Sequence, residues 1–311
     1  MTDSHGDGNG DGHGIGRALV LGPGGRPGAA WTAGLAAGLR GAGVDLGAAD
    51  LTVGTSAGAI VAALLAGGQD LERLVDPARR PAAAPAPATP PAPAAAPAPA
   101  VPPASAAAAA PARRPGPAVT GEVFAVLGQG LDPAEARRRV GAIALASADA
   151  GAERDLLGRR EALIGTPAWP ERRLLVTAVD AVDGEPLVLG AGDGVPLLRA
   201  VAASSAFPGT EVPVTLPGGR RGMDGALRAG ANADLAAGAR ALVVVEPLAH
   251  RHPPTDLTPW PSAVALAPDA GARAVLDSER ADWDTWVGAY REGVRQGGEA
   301  ADRVRAVWGS V

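Results

Sequence analysis

The chain contains no cysteine and no lysine among its 311 residues. Without thiols there is no disulfide framework and no thiol chemistry. Without lysine there is no Walker A phosphate loop, and all 28 basic residues are arginine. Against 33 acidic residues they leave a formal charge of −5, which lacks the electrostatic footprint of a nucleic-acid binder. Also missing is any run of about 18 apolar residues free of proline and charge, so no membrane span is expected. The start, Met1-Thr2-Asp3-Ser4-His5-Gly6-Asp7, lacks the basic and apolar regions of a signal peptide. A soluble, cytoplasmic protein is the expectation. Histidine is scarce, with four residues: His5, His13, His250 and His252.

Glycine (44) and proline (30) are abundant, and alanine fills much of the remainder. The bias runs along the whole chain, so enrichment alone carries little information. The length suits one large domain or two small ones. Residues 1–16 are rich in Gly, Asp and His and are expected to be a disordered tail. Within them Asp7-Gly8-Asn9-Gly10-Asp11-Gly12 mimics half of an EF-hand loop, but the twelfth position is Ala18 rather than a bidentate Glu, so no calcium site is expected. Residues 81–117 are almost entirely Pro and Ala. Such a segment can form neither regular hydrogen bonds nor a core, and is expected to be a disordered insertion in one domain spanning 17–311.

Between these segments the pattern alternates. Arg17–Leu21, Ala49–Val53, Arg173–Val179, Pro186–Leu189, Arg220–Met223 and Ala241–Val245 read as strands. Helices are expected over Ala29–Leu39, Ala57–Ala66, from Asp132-Pro133 onward, over Val195–Ser205, over Asn232–Arg240, and through about 267–308. Trp283, Trp286, Tyr290 and Trp308 in the last stretch are expected to pack onto the domain. The alternation implies an α/β protein with a mainly parallel sheet.

Gly54-Thr55-Ser56-Ala57-Gly58 carries the most chemistry. It matches G-x-S-x-G between a strand and a helix, the context of a nucleophile elbow. A serine there is exposed by its flanking glycines and sits over a helix N-terminus, which favours negative charge. Its hydroxyl needs a base. Two arrangements are open. Asp224 ends a strand and is followed by Gly225, so it could take the proton directly if partly desolvated. Alternatively Ser56, Asp224 and His250 or His252 form a triad. The loop Gly22–Gly28 offers backbone donors for an oxyanion: Gly24 and Gly25, helped by Arg26, while Pro23 and Pro27 cannot donate. The same loop also reads as G-x-G-x-x-x-G, but a dinucleotide site would need an acidic strand end where Asp45 and Asp50 lie, and neither sits in one.

Three blocks in this order resemble the patatin-like phospholipases, or patatin-like acylhydrolases. They are the glycine loop Leu21–Gly28 with the helix after it, Val53–Ala59, and Met223-Asp224-Gly225-Ala226 followed by Asn232-Ala233-Asp234-Leu235. Between the last two, Ala202–Gly209 resembles the family's serine-containing helix end before a proline. The likeness covers about 17–78 and 120–250. It implies a three-layer α/β/α sandwich and a serine acylhydrolase of lipid esters. It implies a Ser56–Asp224 dyad without histidine, an oxyanion hole at Gly24, Gly25 and Arg26, and no cofactor or metal. Partners would be a lipid or acyl-ester substrate, with transient contact to a membrane surface. The chain departs from the family pattern at Pro23, Pro27 and Ala226, and Arg26 is displaced by one position. A catalytically weak binding protein and a His-triad esterase are the alternative functions.

Overall fold

The computed structural model describes residues 14–76, 115–165, 168–278 and 282–309. The EF-hand-like run, His5, His13 and residues 81–114 lie outside the described residues. Among the described residues eight strands form one mixed sheet: β1 (Arg17–Leu21), β2 (Leu51–Gly54), β3 (Arg173–Asp180), β4 (Pro186–Leu189), β5 (Val214–Thr215), β6 (Arg221–Asp224), β7 (Ala241–Val245) and β8 (Ser262–Leu266). Their order is β5-β6-β3-β2-β1-β7-β8, with β4 on the outer edge of β3. The run from β8 through β7, β1 and β2 to β3 is parallel, whereas β4, β5 and β6 pair antiparallel.

Central parallel strands are covered on both faces and so read as continuous apolar runs. β1 and β7 do so: Leu19, Leu21, Val243 and Val245 enter one core, and Ala18, Val20, Leu242 and Val244 the other. The helices are α1 (Gly25–Gly41), α2 (Ala57–Ala66), α3 (Pro117–Leu127), α4 (Pro133–Leu145), α5 (Ala150–Ile164), α6 (Leu197–Ser204), α7 (Ala226–Ala229), α8 (Ala270–Leu276) and α9 (Trp283–Trp308). The first, larger core takes its helical side chains from α1, α2, α5, α6, α8 and α9. The opposite layer is thinner. A 3-10 turn at Ala233–Ala236 and Trp260 cover the middle strands, and α3 and α4 cover Val179 and Met223. The result is the expected α/β/α sandwich.

Some of the glycine does structural work. α1 and α9 cross so closely that a Cβ on Gly34 would lie 2.0 Å from the Tyr290 carbonyl oxygen, and one on Gly293 would lie 2.2 Å from that of Trp31. Side chains of any size would push the helices apart. Tyr290 is buried at this contact, and the Trp31 indole donates across it to Gln296.

Four boundaries differ from the sequence reading. α1 starts at Gly25, because Pro27 falls in the first turn, where a missing N–H costs no helical bond. Pro117, the end of the expected disordered insertion, opens α3. Asn232–Arg240 is not a helix. Asn232 has φ 62° and Gly238 φ 81°, which leaves room only for the 3-10 turn. Finally, the stretch before α8 holds β8, a short Ala-rich edge strand that the composition masks.

Candidate active site

The site is assembled by strand register along β3. β2 pairs with one edge of β3 and stops with Gly54 opposite Val176. β6 arrives along the same edge from the other direction and stops with Asp224 opposite Ala178. Two strand ends therefore meet head-on, and the residues that leave them are forced together. Ser56 Oγ donates to Asp224 Oδ2 at 2.7 Å across 168 residues of sequence.

Ser56 has φ 54° and ψ −118°, a conformation that a side-chain-bearing residue rarely adopts. Such strain costs on the order of 1–3 kcal/mol and persists only where the surroundings over-determine it. Here they do. Thr55 N donates to Leu21 O at 3.0 Å, and Ser56 N donates to Ser204 Oγ at 2.9 Å. The flanking glycines are required by packing. A Cβ on Gly58 would meet Leu21 O at 2.1 Å, and one on Gly54 would meet the Ala59 Cα at 2.7 Å.

Asp224 is buried, 2 % exposed. Its second oxygen, Oδ1, accepts the Ala226 N–H at 2.9 Å, so both oxygens are held without a histidine. Burial raises its pKa from 3.8 to about 6, opposed by the Ala226 and Ser56 hydrogen bonds and by the charge of Arg160. The carboxylate is thus ionised at neutral pH yet far more basic than a solvated one. Gly225 permits the approach, since a Cβ there would lie 2.3 Å from Thr177 O.

Residues with no role at the site in the sequence reading hold this pair, Ser204 and Asn232 from the family-like blocks and Arg160 from outside them. The C-terminal turn of α6 grips both partners: Ser204 Oγ takes the Ser56 N–H, Ser204 O takes Gly225 N–H, and Ala206 O takes Asp224 N–H. Arg160 of α5 pins that turn from behind, donating to Ser205 Oγ at 2.7 Å and to Ser205 O at 3.3 Å. Burial pulls its guanidinium down from the usual arginine range, while Glu211, 3.7 Å away, acts in the other direction. On the far side the two N–H groups of the Asn232 amide are shared among Thr55 Oγ1, Thr177 Oγ1, Gly225 O and Gly230 O, tying the elbow to the loop after Asp224.

The glycine loop enters by the same register logic. Leu21 lies opposite Gly54 on one side and Val245 on the other, so residues 22–26 leave the sheet beside Thr55–Ala57. Gly24 is wedged against Pro247, where a Cβ would come within 2.8 Å of the proline ring. Gly25 (φ 61°) and Arg26 form the exposed first turn of α1, whose N–H groups have no partner within the helix. The two histidines are used elsewhere. His250 Nε2 pairs with Asp277 at 2.9 Å, on the turn after α8, and His252 is exposed.

Residues 19–237 match the family model described as patatin-like phospholipase, and the chain belongs to that family. The family is one of lipid acylhydrolases, and lipids are the class of substrate it acts on. No curated protein matches. Among solved structures, VipD from Legionella pneumophila aligns with 93 % of this chain and 67 % of its own, at 12 % identity and a TM-score of 0.43, a degree of likeness that adds nothing to the assignment. Among the described residues no helix is long and apolar enough to cross a membrane.

Proposed function

We propose that the chain is a serine acylhydrolase that cleaves lipid acyl esters with a Ser56–Asp224 dyad. The observation that carries this reading is the 2.7 Å hydrogen bond between the strained Ser56 and the buried Asp224, whose pKa of about 6 suits a base at neutral pH. Asp224 takes the Ser56 proton as Oγ attacks the ester carbonyl. The first-turn N–H groups at Gly25 and Arg26, with Gly24 beside them, receive the developing oxyanion, aided by the helix dipole. The leaving alkoxide departs with the proton from Asp224. Water, deprotonated by the same carboxylate, then attacks the acyl-serine carbonyl, and Asp224 returns that proton to the departing Ser56 Oγ as the acid is released. Pro23 and Pro27 carry no N–H, so the donors of this loop and first turn are confined to Gly24, Gly25 and Arg26.

A pH profile on p-nitrophenyl butyrate tests the reading. kcat/KM is expected to rise through an acid limb near pH 6 and to vanish in Ser56→Ala. An acid limb near 4, or turnover that survives Ser56→Ala, would remove the dyad. The histidine triad has no support from geometry: both Asp224 oxygens are occupied, and His250 faces Asp277.

A further inference from the structure

Helix α3 breaks the rule for a helix at a protein surface. Such a helix normally buries an apolar stripe and turns charge toward water. α3 reads PAVTGEVFAVL and buries Val119 and Val123. Its outward side holds Pro117, Ala118, Gly121, Phe124, Ala125 and Leu127, with Glu122 its single charge. Phe124 is 57 % exposed and Leu127 39 %. The neighbouring α4 follows the rule, with Glu135, Arg138 and Arg139 paired along its outer side.

The helix is fixed to the active site. The chain has two phenylalanines, and they pack on each other here: the Phe124 and Phe207 rings lie 5.6 Å apart. Phe207 follows Ala206, whose carbonyl holds the Asp224 N–H. Two residues on, Gly209 sits so tightly under α3 that a Cβ would come within 2.5 Å of Thr120 N. The exposed apolar face is thus continuous with the turn that grips the dyad.

We infer that α3 is the surface by which this protein lies on aggregated lipid, with Phe124 and Leu127 entering the acyl region beside the dyad. The inference rests on the lipid-hydrolase reading for its choice of partner. The size of the patch supports that choice. An 11-residue helix is about 17 Å long and about 10 Å wide, a footprint on the order of 170 Å². A stable protein interface takes about 800 Å² from each partner. A lipid surface needs no matching partner and accepts a single shallow helix lying in its plane. The patch has little charge and the chain is acidic, so the matching surface is zwitterionic, and attachment depends little on salt.

The absence of cysteine makes the test clean, because an introduced thiol is the unique labelling site. Phe124→Cys and, as control, Glu299→Cys on the exposed side of α9 are made in the Ser56→Ala background and labelled with an environment-sensitive fluorophore. Phosphatidylcholine vesicles should shift the emission to the blue and raise it severalfold at position 124, leave position 299 unchanged, and do so equally in 1 M NaCl. In co-sedimentation with the same vesicles, Phe124→Gln/Leu127→Gln should lower the bound fraction at least tenfold. No shift at 124, equal shifts at both positions, unchanged sedimentation, or a dimer dissolved by the double substitution would each overturn the inference. None of these readouts uses turnover, so a vesicle response without esterase activity in wild type would retire the hydrolase reading and leave the surface standing.

Discussion

Asp224→Asn separates a buried base from an ordinary structural carboxylate, because it should harm activity and help stability at once. The side chain is 2 % exposed, and burial is the largest influence on its pKa, lifting it from 3.8 to about 6. A folded-state pKa raised above the unfolded value means that the folded protein prefers the neutral acid. The resulting stability is fully present below about pH 4 and is lost as pH rises through about 6. Above pH 6 the native protein therefore holds a carboxylate that costs about 3 kcal/mol relative to its neutral form. Asparagine keeps the shape and an oxygen for the Ala226 N–H, and carries no charge. At pH 8 the variant should be the more stable protein by up to about 3 kcal/mol, roughly 5–10 °C in Tm. The gap should close between pH 6 and 4. Turnover of p-nitrophenyl butyrate should fall roughly a thousandfold or more, since an amide cannot accept the serine proton. The assay is urea unfolding from pH 4 to 8 beside kinetics at pH 8. A variant less stable than wild type at pH 8, or a stability difference that does not change with pH, would refute a desolvated Asp224.

Other substitutions probe the supports. His250→Ala and His252→Ala should each keep kcat/KM within a few-fold, because neither ring reaches Asp224; a thousandfold loss in either would restore the triad. Arg160→Met removes a cation that lowers the Asp224 pKa, so the acid limb of kcat/KM should move above 6, a displacement that simple loosening of the turn would not cause. Gly58→Ala puts a methyl 2.1 Å from the Leu21 carbonyl oxygen; it should destabilise the fold by several kcal/mol in urea unfolding, and a loss under about 1 kcal/mol would mean the elbow can relax.

Legibility in the sequence followed how local each requirement is. An elbow is set by five consecutive residues, so Ser56 could be read from Gly54–Gly58. The ends of α2 and the span of β7 were equally plain, because one is a continuous apolar helix and the other a continuous apolar strand. Asp224 was visible as a strand end before glycine and was offered as a direct base for Ser56, but the geometry that joins the two was not visible. The 2.7 Å contact depends on two strands abutting along β3, and nothing near residue 224 encodes that register. Arg160 and Thr177 were missed, and Ser204 was seen within Ala202–Gly209 without a role, for the same reason, since each acts through contacts made only in the folded chain. Asn232 was noticed as part of a block but read as the start of a helix. Its φ of 62° and an amide shared among four acceptors make it a left-handed anchor, and an asparagine between Gly230 and Gly238 was the available signal. β8 disappeared into the alanine-rich background because it offers only Val264 and Leu266 to the core.

Intact-mass analysis after reaction with a fluorophosphonate tests the central claim most directly, because it needs no knowledge of the natural substrate. Wild type should gain one phosphonyl adduct, mapped by peptide sequencing to Ser56. Ser56→Ala should gain none, and Asp224→Asn should react at least a hundredfold more slowly at pH 8, while the two histidine variants react like wild type. An adduct on another residue, or labelling of Ser56→Ala at the wild-type rate, would contradict the assignment of Ser56 as nucleophile and Asp224 as its base.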